Sequence, residues 1–351
     1  MATPQAKQSL LGSAPIGKLM AKLALPSIVA QIINILYNIV DRIYIGHIGE
    51  EGSLALTGLG VCFPIITLIS AFSAFAGAGG APLAAIELGK SEYDSSAKEK
   101  AKEILGNVII MIIGFSLVLS VFFYFLREPI LLAFGASENT LPFAKNYLGI
   151  YLIGTFFVQI SIGLNPFISC QGFAKTAMAS VIIGAVVNIV LDPIFIFGFH
   201  LGVRGAAFAT VISQGISAIW IIRFLASKKS ALSLSVKIIK FNPKIIGKIA
   251  SLGISPFIMQ STESAIFVVF NSGLQKYGGD LYVGSMTIMQ SIMQMCFVPL
   301  SGFTDGVQPI LSYNYGAKKF DRVKTAIRKM LIISFSASIV ISIGSRVYSH
   351  A

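Results

Sequence analysis

Acidic side chains inside otherwise apolar runs are where this sequence can do chemistry. Asp41, Asp192, Glu263 and Asp305 each stand in such a run. A charged group in hydrocarbon costs about 3 kcal/mol or more, so each must face a cavity, a partner or a cation. Asn34, Tyr37, Asn38 and Asp41 follow the i, i+3, i+4, i+7 spacing of one helical face, and Asn188 precedes Asp192 by one helical turn. At about 1.5 Å per residue, Asp41 lies about 27 Å beyond Leu23 and Asp192 about 22 Å beyond Ala177, on helices running the same way. Tyr147 and Thr210, on helices running the other way, sit about 8 to 9 Å below the far ends of their helices and reach the same level. Two carboxylates at one depth in a low dielectric cannot both stay charged without a counter-cation. The pattern is therefore expected to form a proton or sodium site at Asp41, Asn188 and Asp192. The competing reading leaves Asp41 solvated beside Arg42.

Other polar groups fall at mid-span. Glu263, with Gln260 and Ser264 nearby, is expected to neutralise a cationic substrate or carry a proton; otherwise it is a protonated acid bonded to a neighbouring helix. Asp305, between Gly302 and Gly306, is either functional or held neutral against a backbone carbonyl. Met286, Met289, Gln290 and Met293 share one stripe, with Gln294 and Met295 adjacent. Polarizable methionines suit a chamber for cations of varied shape, and equally suit packing. With Asn34, Tyr37, Asn38, Gln260 and Glu263, these four make the expected substrate cavity. Cys62, Cys170 and Cys296 lie far apart in apolar runs and are expected to pack. Gly77, Gly79 and Gly80 lack the following Lys-Ser/Thr of a phosphate cradle and instead offer a small-residue helix surface. His47, His200 and His350 fall at span ends without an HExxH motif, so no hydrolase, no resident metal and no cofactor are expected.

The elements that position these groups follow from composition. Of 351 residues, 55% are hydrophobic and 12% charged, with a mean hydropathy of +0.79. Those values exclude a water-soluble enzyme, a disulfide scaffold and a disordered chain. Runs long enough for a bilayer occur at 20–44, 53–86, 104–126, 142–169, 177–198, 205–225, 249–271, 281–314 and 330–347. Prolines within or near them, including Pro26, Pro64, Pro166, Pro193, Pro256 and Pro299, predict bends. With the N-terminus inside, 21 Lys and Arg fall on the cytoplasmic side and 6 on the other. The positive-inside rule then gives a multi-pass plasma (inner) membrane protein with a cytoplasmic N-terminus, and it accounts for the net charge of +12 without nucleic acid. Residues 228–248, rich in Lys and Ser, are expected to link an N-terminal unit, 1–227, to a second unit, 249–351.

The two units look like copies. At an offset of 227, Gly79, Pro82, Gly89, Tyr93 and Asp94 fall on Gly306, Pro309, Gly316, Phe320 and Asp321; at 230, Gly17, Lys18 and Pro26 fall on Gly247, Lys248 and Pro256. An even number of spans separates equivalent points, so the copies share one orientation. The expected fold is all-α and polytopic: two parallel-repeat bundles, the first with six helices and the second with three of six, as in a C-terminally truncated chain.

Leu25-Pro26 to Asp41, Asn188-x-x-x-Asp192-Pro193, and Gly306-x-Gln308-Pro309 followed by Tyr313-Asn314-Tyr315-Gly316-Ala317-Lys318-Lys319-Phe320-Asp321-Arg322 resemble the multidrug and toxic compound extrusion (MATE) transporters of bacteria and archaea. The resemblance runs from about Lys18 to about Lys329. It implies two six-helix bundles exporting small organic cations in exchange for protons or sodium. It assigns cation coupling to the positions of Asp41, Asn188 and Asp192, and by motif position to Tyr147 and Thr210. The expected protein is a monomeric antiporter in the lipid bilayer. The alternatives are a lipid-linked saccharide flippase of similar architecture and a non-transporting relic.

Overall fold

Apolar runs that cross a bilayer satisfy their backbone polar groups only as helices or closed barrels. The computed structural model of the chain describes residues 10–349 and is helical throughout, with no strand among the described residues. The helices are α1 (Ile16–Gly46), α2 (Gly52–Lys90), α3 (Ala97–Ala133), α4 (Leu141–Ile153), α5 (Thr155–Ser169), α6 (Ala174–Pro193), α7 (Val203–Ala226), α8 (Pro243–Gly316) and α9 (Phe320–Ser349). The side chains of Met295, Cys296 and Arg346, and all of His350, lie outside the described residues. Among the described residues six helices are long and apolar enough to cross a membrane, or seven if α4 and α5 form one span.

Two expected boundaries are corrected. The span expected at 142–169 is broken at Gly154, where α4 and α5 meet at 60°. The contact at the break is tertiary: a Cβ on Gly154 would stand 2.3 Å from a Val211 methyl, so α7 presses against bare backbone there. The spans expected at 249–271 and 281–314 run into each other as the two legs of α8, 243–278 and 280–316, which meet at Gly279 with φ 67° and ψ −165°. That conformation is open to glycine at little cost and to other residues only under strain. Of the prolines expected to bend helices, Pro193 closes α6 just ahead of a wider π-helical turn, Ile194–Gly198. Pro26, Pro64 and Pro166 sit inside α1, α2 and α5, and Pro256 and Pro299 sit one in each leg of α8, away from Gly279.

α8 packs most extensively on α2 and next on α1. The contact repeats itself. A Cβ on Gly89 would stand 2.1 Å from the carbonyl oxygen of Tyr313, and one on Gly316 would stand 2.0 Å from that of Ile86. Ile86 and Tyr313 are themselves equivalent at the offset of 227. Gly79 likewise abuts Ile249 and Gly253, while Gly306 abuts Leu23 and Ala24. Small residues let backbones touch where, in lipid, dispersion and weak polar contacts must hold helices together.

At the Lys-rich end the N-terminal segment is clasped. The buried amide of Asn314 donates to the carbonyls of Leu11 (3.0 Å) and Ile310 (2.8 Å), and its oxygen accepts from Arg322 Nε (2.8 Å). Arg322 Nη2 also donates to Ala14 O at 2.6 Å. Lys319 pairs with Glu92 at 2.7 Å, and Glu92 accepts from Tyr313 Oη at 3.1 Å. Cys62 and Cys170 are buried, Cys170 within an apolar cluster that includes Leu105, Phe167 and Ile310, and Cys62 within a second that includes Ile65, Leu148 and Val283.

Two stability predictions follow from these contacts. Gly253→Val drives a side chain into the Phe75 carbonyl, which its Cβ would meet at 2.1 Å. It is expected to cost about 1–3 kcal/mol, read as a lower Tm in detergent, whereas Gly114→Ala, with nothing within 4 Å, leaves Tm unchanged or raises it. Asn314→Ala removes three hydrogen bonds, to Leu11, Ile310 and Arg322, and leaves Arg322 Nε without its acceptor, which is expected to cost about 1–3 kcal/mol. Limited proteolysis should then cut the segment at 10–15 faster than in the unaltered chain.

Candidate cation site

Asp41 closes the polar face of α1 one turn before its end, and Asp192 sits at the end of α6, which packs along α1. Both are buried, Asp41 at 6% exposure and Asp192 at 0%. Their carboxyl groups meet at hydrogen-bonding range. Asn188, also at 0% exposure, donates Nδ2 to Asp192 Oδ1 at 3.2 Å. The expected Asp41, Asn188 and Asp192 set is therefore assembled, and the reading that left Asp41 in bulk solvent is overturned by its burial.

Tyr147 of α4 and Thr210 of α7 join the same cluster. Tyr147 neighbours the Thr210 hydroxyl and lies within electrostatic reach of Asp41. The Tyr147 ring stacks on Tyr151, with centroids 6.2 Å apart and planes at 17°. Tyr37 lies beside both acids and accepts from Gln214 Nε2 at 3.5 Å. Asn34 and Asn38 are half-buried on the same face, with Asn38 Nδ2 turned back onto the Asn34 carbonyl at 2.6 Å. Arg42, next to Asp41, turns toward α8. Its guanidinium donates to the Thr287 carbonyl at 3.3 Å and covers the Phe63 ring at 4.9 Å, spanning from α1 to α8.

Three buried oxygens in this cluster, Asp41 Oδ1, Asn188 Oδ1 and Asp192 Oδ2, have no hydrogen-bond partner within the chain among the described residues. Buried acceptors without donors are costly. Their crowding with two acids presents a cation with oxygen ligands and a proton with two bases. Among the described residues no cluster of three or more His, Cys, Asp or Glu forms a metal site.

The second expected group is not gathered. Glu263 points away from Ser264: the Ser264 hydroxyl is buried and donates to the Pro64 carbonyl at 2.8 Å, whereas Glu263 is exposed, with Gln260 half-buried a turn earlier. The methionine stripe splits as well. Gln290 is buried and Met286 half-buried, but Met289 and Met293 are more than half exposed. A straight 3.6-residue count cannot show which arc of that stripe a neighbouring helix covers. Asp305 accepts from Gln31 Nε2 at 3.2 Å, a side chain rather than the expected backbone contact. Two participants escaped the sequence reading. Gln214 lies one turn beyond Thr210 and Tyr151 one turn beyond Tyr147, so the i+4 rule that found Asn188 beneath Asp192 reaches both.

A family model described as MatE matches residues 26–194 and 256–350. The two matched segments begin 230 residues apart, the offset seen at Pro26 and Pro256. The multidrug export protein MepA of Staphylococcus aureus (strain NCTC 8325 / PS 47) is 27% identical over 331 residues, 94% of this chain and 71% of that protein. Its counterpart in Staphylococcus haemolyticus (strain JCSC1435) is 28% identical over 321 residues, 92% of this chain and 69% of that protein. Among solved structures, a ligand complex of the MATE multidrug transporter DinF-BH superposes with a TM-score of 0.86 and 32% identity, covering 95% of this chain and 72% of that one. A MOP superfamily transporter from Pyrococcus furiosus superposes with a TM-score of 0.80 and 26% identity, covering 95% and 72%. With the family model spanning most of its length and the helical architecture superposing on these transporters, the chain belongs to the MATE family of multidrug efflux membrane proteins.

Proposed function

We propose that this protein exports organic cations by antiport against protons or sodium, with Asp41, Asn188 and Asp192 as the coupling site and Tyr147 and Thr210 as its hydroxyl wall. The observation that carries this reading is the buried contact of Asp41 with Asp192. Two anions cannot stay in contact away from water, so the pair is neutralised by a proton or a metal cation, or by the positive charge of the cargo. Ligands that compensate the same charge exclude one another, and mutual exclusion across two alternating states gives exchange. The similar DinF-BH structure is that of a multidrug transporter with a ligand bound, which supports small-molecule cargo here. The Lys-rich end, where α1 begins, faces the cytoplasm in this reading. In this reading Asn34, Tyr37 and Asn38, on the same face of α1 as Asp41, would meet the cargo next, and Glu263, exposed on α8, would offer a further negative charge. A lipid-linked saccharide flippase needs cations to hold pyrophosphate, whereas the mid-span charges of this chain are acidic.

In proteoliposomes, Asp41→Asn and Asp192→Asn are each expected to reduce tetraphenylphosphonium-driven release of protons or sodium at least tenfold. The emission of Trp220, the single tryptophan, should stay unchanged as a sign of intact folding. Unaltered exchange in both variants sinks the assignment. Tyr147→Phe, which removes the hydroxyl beside Thr210, is expected to weaken coupling by about tenfold, the worth of roughly 1.4 kcal/mol, while leaving cargo binding by equilibrium dialysis within about twofold.

A further inference from the structure

A cavity of about 460 Å³ opens on the flank of the molecule between α1, the second leg of α8 and α9, far from the carboxylate pair. That volume lies in the usual ligand-site range of about 300–1,000 Å³. Its wall is apolar, with Met20, Leu25, Ile28, Phe303 and Ile332 among its residues, and Lys329 is its one charged residue. From Gly17 to Ile28 the wall climbs about 16 Å along α1, starting at the Lys-rich end. Lys329 Nζ stands at the Gly17 end, where it would lie 3.3 Å from a Cβ built there.

The internal repeat supplies the comparison that gives this groove meaning. On the equivalent flank Phe72, Phe75, Phe115 and Phe257 interlock, with ring centroids 4.9 to 6.0 Å apart. The positions that match Phe72, Phe75 and Phe257 here are Pro299, Gly302 and Ser27, so the plug is missing and a groove is left. The charge differs in the same way. Lys102, the equivalent of Lys329, is paired with Glu99 at 2.6 Å. Ala326 stands where that Glu would be, and among the described residues no carboxylate pairs with Lys329. One flank is thus filled and neutral, and the other is hollow, greasy and capped by a cation at headgroup level.

We infer that this groove binds an anionic phospholipid from the leaflet on the Lys-rich side, one acyl chain lying along Met20, Leu25 and Ile28 and the phosphate resting on Lys329. Basic residues at the mouth of an interhelical groove read an anionic headgroup, each contributing enough for about fivefold in affinity. The site is independent of the exchange chemistry, since none of its residues belongs to the carboxylate cluster.

The test is native mass spectrometry of the delipidated protein in detergent, titrated with dioleoyl phosphatidylglycerol or dioleoyl phosphatidylcholine. The unaltered chain is expected to take up one phosphatidylglycerol about fivefold more tightly than phosphatidylcholine. Lys329→Gln should bind both lipids equally. Ala21→Phe, which fills the groove from an exposed wall position, should lose that one lipid altogether; Ile332→Phe, also exposed, serves as a second filler should the first misfold, with Trp220 emission as the check. Equal affinity for the two lipids in the unaltered chain, a preference that survives Lys329→Gln, or an unchanged lipid count in a folded filler variant would overturn the proposal. Lipid uptake is read without transport, so its outcome stands apart from that of the antiport reading.

Discussion

Everything specific to this molecule depends on holding two carboxyl groups against each other where water does not reach. Burial alone would drive such a pair apart or neutralise it permanently. Here the pair is fixed by rigid neighbours: α6 packs along α1, and Asn188 donates to Asp192 from one turn below. The oxygens left without donors make the site costly as it stands, and that cost is what the proposed cation or proton would relieve.

The surrounding architecture is built for close contact between α8 and the pair α1 and α2. Glycine carbonyl contacts recur at equivalent places, Gly89 on Tyr313 and Gly316 on Ile86, so neither side can rotate without losing both. At the Lys-rich end Asn314 and Arg322 hold the N-terminal segment through backbone carbonyls, whose position does not depend on side-chain identity. At the other end Arg42 reaches across to Thr287. Polar contacts therefore bracket the apolar body at both ends.

The sequence makes the buried polar cluster legible because its members follow a one-turn rule and because helix rise converts residue count into depth. Asp41, Asn188, Asp192, Tyr147 and Thr210 all meet on that arithmetic. What the arithmetic misses is helix interruption and facing. At the Gly154 break Val211 presses on bare backbone, a contact between residues 57 apart that no local pattern announces. Gly279 joins two expected spans through a backbone conformation, not a composition change. Glu263 and the methionines fail for a related reason: periodicity gives a stripe but not which neighbour covers it, and Ser264 rather than Glu263 turned out to face α2.

The repeat also shows what stands in the second copy where the first has Asp41. Asn271 occupies the position equivalent to Asp41, and it is equally buried, at 2%. Its amide donates to the Gly60 carbonyl at 3.3 Å, while Arg42, next to Asp41, donates to the carbonyl of Thr287, the equivalent of Gly60. Both copies thus use this level of the first helix to grip a carbonyl on the opposing side. An amide does so without charge and frees no carboxylate. In the first copy the grip has passed to Arg42, one residue on, which leaves Asp41 to turn inward and meet Asp192. A one-residue division of labour converts a structural contact into a charge-bearing site in one half, and a neutral lock remains in the other.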